Sequence, residues 1–259
     1  MQSNPVISQN ATKGSNNSQI GLQYNHEEHH HGLSVTDATQ MALEIFRQYF
    51  PELQKEAQAS LRILLDEELS KRLPQQIVPP SARIVVPSLQ GASVSDEEDV
   101  RKMYAKLLAS SMDSSTTQET HPAFPRIIDQ MSTNDAKLMM KIFEINDSIP
   151  VASVQITFDD KYLPYATPHY YSPYFDELDD PWAISLSIEN LSRLQLINLF
   201  EGSVNSYDYE KFKTMPFVVD RFEFAKERNP TRDLTIKVNK YVIQQNDFGK
   251  RFAKLCMSD

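Results

Sequence analysis

The sequence predicts a mainly α protein of the α+β class, helical in its N-terminal part and carrying a small antiparallel sheet toward the C-terminus. Between Ser34 and Met131 apolar residues recur every three to four positions in several segments, as on helices that bury one face. After Ser132 the period drops in places to two, as in half-buried strands. Of the 259 residues 40% are hydrophobic and 24% charged, the balance of a globular chain with a core.

Residues 1–33 lack either period. "SQNATKGSNNSQ" is Ser, Asn and Gln, with too little apolar surface to offset the entropy of ordering, so a disordered tail is expected. Near its end His26, Glu27 and His30 match the His-Glu-x-x-His spacing of zinc metalloproteases. That site needs a packed helix and a third ligand. Gly32 follows at once, no core helix can be built there, and no metal site is expected.

From Ser34 a helix is predicted, with Ala38, Met41, Ala42, Ile45, Phe46 and Tyr49 along one face. Pro51 interrupts it. The next segment places Leu61, Leu64, Leu65 and Leu69 on a stripe and ends near Pro74 and Pro79-Pro80. "IVPPSARIVVPSLQGASV" reads as extended chain or short helical turns. A further helix follows, with Ser95 and Glu98 as a capping box and Val100, Met103, Tyr104, Leu107 and Leu108 inward. A polar loop leads to a short helix near Pro122, with Phe124, Ile127, Ile128 and Met131 inward.

Ser132 and Asp135 form a second capping box, opening another helix. "VASVQITF" alternates as a strand. A Pro/Tyr loop precedes a helix through Ile184, Ile188, Leu191 and Leu194. "MPFVVDRFEFA" and "DLTIKVNKYVI" read as strands, and "DFGKRFAKLC" as a closing helix burying Phe248, Phe252 and Leu255. Helix, helix, strand pair, helix is the order of a winged-helix-like domain. The expected organisation is a polar tail (1–33), a helical domain (34–131) and a winged-helix-like domain (132–259).

Charge and composition narrow the function classes. The formal net charge is −9, which repels phosphate backbones unless cations gather in one place. Residues 220–259 hold nine Lys or Arg against six Asp or Glu, a mild asymmetry that gives nucleic-acid binding little support. One cysteine, Cys256, permits no internal disulfide. No signal peptide or membrane span is read, so a cytoplasmic protein is expected. The six glycines are scattered and form no phosphate-binding loop, so no cofactor is expected.

Several motifs fall in one order along the chain: Leu107-Leu108-Ala109-Ser110-Ser111-Met112-Asp113, His121-Pro122 with Phe124, Ser132 with Asp135 and Ala136, "ENLSRLQLI" with Asn190, Leu191, Arg193 and Leu194, and Phe248-Gly249 with Phe252. From about residue 65 to 256 they resemble the bacterial abortive infection alpha (Abi-alpha) family, a domain of unknown function. The resemblance implies a part in antiviral defence and no known reaction. Gln195 stands where the resembled pattern usually has Gly.

None of these positions is assigned as catalytic. His121 is a candidate base or ligand, but no partner is placed beside it, and capping of its own loop is the structural alternative; a hydrolase or nuclease centred there is the weakest of the readings. Asp135 reads as a capping acid. Arg193, with Asn190 and Gln195, lies on the helix a winged-helix protein would present to DNA, yet one Arg beside Glu189 is a poor reading head. Tyr170, Tyr171, Tyr174 and Phe175 form an aromatic cluster that packs on its own domain or, as the alternative, anchors a protein partner. The expected function is therefore non-enzymatic defence through protein contacts, with a winged-helix DNA-binding regulator or antitoxin-like component as the alternative; self-association stays open.

Overall fold

The computed structural model describes residues 32–49, 55–159, 161–163, 165, 167–178 and 180–258, with side chains of the second helix from Arg62 onward. The tail before Gly32, with His26, Glu27 and His30, and the Pro51 break lie outside the described residues.

Helix α1 (Val35–Tyr49) begins where Ser34 Oγ accepts from Asp37 N at 3.1 Å, and buries Ala38, Ala42, Leu43 and Phe46. Helix α2 (Lys55–Ser70) buries Leu65 and Leu69. The stretch expected to be extended is instead helix α3 (Ala82–Val94), with Pro87 inside it. Pro87 removes one helical amide, but Ile84, Val85, Ser88, Leu89 and Ala92 fall on one buried face, and that burial decides the conformation. Gly91 faces α4: a Cβ there would sit 2.3 Å from the Tyr104 hydroxyl.

Helix α4 (Glu98–Ser111) buries Val100, Met103, Tyr104, Leu107 and Leu108, the face its spacing predicts. The predicted Ser95–Glu98 box does not form. Ser95 Oγ accepts from Glu97 N at 3.3 Å, and Glu97, the N-cap residue, turns its carboxylate to Thr133 N at 2.6 Å. Glu98, the acid the box would have used, pairs instead with Lys102 one turn on at 2.7 Å. Helix α5 (Phe124–Ile128) carries Pro125 in its first turn, where a missing amide costs little. Helix α6 (Thr133–Ile145) opens on the predicted box between Ser132 and Asp135.

Strand β1 (Ile149–Phe158) pairs with β2 (Lys161–Tyr162). Helix α7 (Pro181–Arg193) follows, capped by Asp180. It stops at Arg193, four residues short of the end of the 182–197 run read as helical, and Ile197–Glu201 is strand β3. "MPFVVDRFEFA", read as a strand, is helix α8 (Pro216–Arg228). Pro216 pre-sets its first turn, Glu223, Ala225, Lys226, Glu227 and Arg228 are good helix formers, and Val218 and Ala225, two turns apart, are its buried positions. Strand β4 (Thr235–Gln245) and helix α9 (Asp247–Cys256) close the chain. The antiparallel sheet has the order β2-β1-β4-β3, with Val154 opposite Val238 and Leu199 opposite Ile243.

Buried side chains from Ala38 to Met257 form one continuous cluster, with a small second cluster at Ile156, Ala225 and Leu234. Leu33 packs against the main cluster and donates its amide to Ile77 O at 3.1 Å. The described fold is thus mainly helical, with a small antiparallel sheet in its C-terminal part.

Candidate functional site

The motif residues gather in three places. At the end of α4, Leu107 and Leu108 are in the core and Asp113 is buried. Its carboxylate accepts from Arg72 at 3.3 Å, from Ser115 N at 2.8 Å and from Ser115 Oγ at 2.6 Å. Ser110 Oγ donates to Leu255 O at 3.0 Å, tying α4 to α9. A buried carboxylate needs such partners, and these residues serve the scaffold.

The second gathering is aromatic. His121 is exposed, and its ring packs on Phe124 and Phe248 with centroids 5.9 and 5.7 Å apart. Phe124 meets Phe252 edge-on at 5.2 Å. His121 Nδ1 accepts from Ala123 N at 3.1 Å, so the ring caps the turn that starts at Pro122. Gly249 lets α9 approach the turn after α7: a Cβ there would lie 1.9 Å from Leu196 O.

The third gathering is a groove of about 720 Å³ between the start of α6 and the outer face of α7. Asp135 Oδ2 accepts from Ser132 N at 2.8 Å, from Ser132 Oγ at 3.0 Å and from Asn190 Nδ2 at 2.9 Å. Asn190 Nδ2 also donates to Gln130 O at 2.8 Å. Arg193 donates to Asn190 Oδ1 from Nη2 at 2.7 Å and to Gln130 Oε1 from Nη1 at 2.9 Å. On the same wall the Tyr104 hydroxyl donates to Asp129; burial first, and then this carboxylate, push its pKa far up. Ala136 and Leu194 are buried.

The groove's lip is apolar. Leu186, 69% exposed, lines it, and Trp182, 46% exposed, stands one turn away on α7. Glu189 continues that face and bonds to His169 Nδ1 at 2.9 Å. The α7 face a DNA reader would use thus carries Trp182, Leu186 and Glu189 beside its single Arg193.

The aromatic loop divides. Tyr171 and Phe175 are buried; Tyr171 donates to Asp176, and its backbone bridges Ala152. Tyr170 is half-buried, stacked with His169 at 4.1 Å. Tyr174 is 45% exposed and stands 6.2 Å from Tyr207, which leaves it the member of the four most open to a partner.

Sequence reasoning missed Gln130, Glu97 and Leu186. Gln130 and Glu97 carry no local signal, because their partners are far away in the chain. Leu186 did carry one: with Trp182 it lies off the stripe of Ile184, Ile188 and Leu191, so two large apolar side chains fall on the outer face.

Among the described residues no group of three or more His, Cys, Asp and Glu is placed to hold a metal ion, and no helix is long and apolar enough to cross a membrane. A family model described as abortive infection alpha matches residues 55–256. No curated protein and no solved structure matches the chain.

Proposed function

Since the chain belongs to the abortive infection alpha family, we propose that it is an antiviral defence protein that acts without catalysis, through protein contacts made at the α7 groove. One observation carries this reading. Asp135, Asn190 and Arg193 engage one another and Gln130, while Leu186 is offered to solvent. Polar groups held in mutual hydrogen bonds shape a surface, whereas a catalytic set keeps an atom directed at substrate. Leu186 at the groove and Trp182 one turn away on α7 are exposed, and Trp is among the anchors protein interfaces use.

The test is a phage challenge of bacteria expressing the full chain, its Leu186→Glu variant or its His121→Ala variant. Leu186→Glu is expected to abolish protection while keeping the wild-type circular dichroism and melting temperature. His121→Ala is expected to retain protection. Protection that survives Leu186→Glu sinks the contact reading. Protection lost in folded His121→Ala alone points to chemistry at the imidazole.

A further inference from the structure

A second cavity, of about 420 Å³, opens between α4 and α6 beside the end of α9. Lys102 and Lys106 lie one turn apart on α4, and Lys137 and Lys141 one turn apart on α6. Such i, i+4 pairs share a helix face, and all four lysines line one opening. Beneath them lie Met103, Met140 and Met257, with Met103 and Met257 buried. Methionine makes a soft floor that adapts to flexible apolar chains.

The facing charges are accountable. Asp99 and Glu144 also line the cavity. Glu98 pairs with Lys102 at 2.7 Å on an exposed surface, where such pairs are weak and readily exchanged. Glu177 reaches Lys141 only at 4.0 Å. Lys106 donates to Met257 O at 2.9 Å, which fixes it at the cavity's end. Two carboxylates thus line the cavity with the four lysines, and Glu98 and Glu177 stand at its edge beside Lys102 and Lys141. Among the described residues this leaves the Lys137 ammonium without an ion pair, in a chain whose formal net charge is −9.

A cationic rim over an apolar floor matches one ligand chemistry, an anionic head on an apolar chain. The volume lies in the range of small-molecule sites and is too confined for the roughly 800 Å² that a stable protein partner covers on each side. We propose that this cavity binds a free single-chain anionic amphiphile, a fatty carboxylate, with its head between Lys137 and Lys141 and its chain on the methionines. The inference does not depend on the α7 groove.

Calorimetric titration of the full chain with laurate, below its micelle concentration, tests it. One laurate per chain is expected, weakening as salt rises. Octanoate should bind at least tenfold more weakly, because each methylene buried is worth about fourfold in affinity. Dodecyltrimethylammonium, with the same chain and opposite charge, should not bind. Lys137→Glu with Lys141→Glu should weaken laurate at least tenfold at an unchanged melting temperature; should this variant not fold, the salt and headgroup comparisons on the unaltered chain decide. Equal binding of the cationic amphiphile, several laurates per chain, or laurate affinity unchanged in the folded variant overturns the proposal. So does co-sedimentation with phosphatidylglycerol vesicles that laurate does not displace, which would move the ligand to a bilayer surface.

Discussion

Asn190 on α7 donates its side-chain amide to the Asp135 carboxylate on α6 at 2.9 Å, across 55 residues of chain. The same carboxylate closes the capping box at the start of α6. One oxygen therefore both starts a helix and fixes how its neighbour docks, and the groove wall depends on both.

Asn190→Ala and Asp135→Ala should each destabilise the chain by about 1–2 kcal/mol, the usual cost of a lost cap or of a buried polar group left unpaired. The double variant should cost less than the two together, since the residues share a bond. Urea unfolding of the four chains measures this; strict additivity would mean the bond contributes nothing.

Gln195 has φ 59°, in the left-handed region that costs a side-chain-bearing residue about 1–2 kcal/mol. It stands where the resembled pattern usually carries Gly, which adopts this conformation without strain but loses more entropy on folding, about 0.5–1 kcal/mol. Gln195→Gly should therefore stabilise the fold by about 0.5–1 kcal/mol, even after losing the exposed bond from Gln195 Nε2 to Ser192 O. Gln195→Val should destabilise it. Melting temperatures give both signs.

Gly249→Ala would place a methyl 1.9 Å from the Leu196 carbonyl oxygen. That atom is backbone, so α9 or the turn after α7 must move. A loss of about 1–3 kcal/mol or more is expected, read as a lower denaturation midpoint and reduced soluble yield. A variant as stable as the wild type would show that this junction yields freely.

Burial, reinforced by Asp129 and Asp176, raises the pKa values of Tyr104 and Tyr171 well above the ordinary tyrosine value. The unfolded chain ionises these phenols at about pH 10, before the folded chain does. Above that pH the unfolded state binds fewer protons, so stability falls as pH rises; below it their contribution is intact. Unfolding free energy measured from pH 8 to 11 should drop at the alkaline end, and Tyr104→Phe with Tyr171→Phe should flatten the drop.

What the sequence determined by itself was whatever is written within a turn or two of chain. The α4 face, the Ser132–Asp135 box and the apolar stripe of α7 are spaced by the helix's own period, so neighbours in sequence report on one another. The tertiary structure decided the rest. α3 is a helix despite Pro87 because burial along one side outweighs weak local preference, and α8 is a helix despite its Val and Phe content, with Pro216 in its first turn and Val218 and Ala225 buried two turns apart. The predicted box at Ser95 does not form because α4 starts two residues later than its spacing needs, with Glu97 as the N-cap and Glu98 paired to Lys102. The groove was legible only as separate letters, with Asp135, Asn190 and Arg193 each noticed alone. Gln130 joins them from 60 residues before Asn190, and a hydrogen bond across that distance leaves no period in the chain that could reveal it.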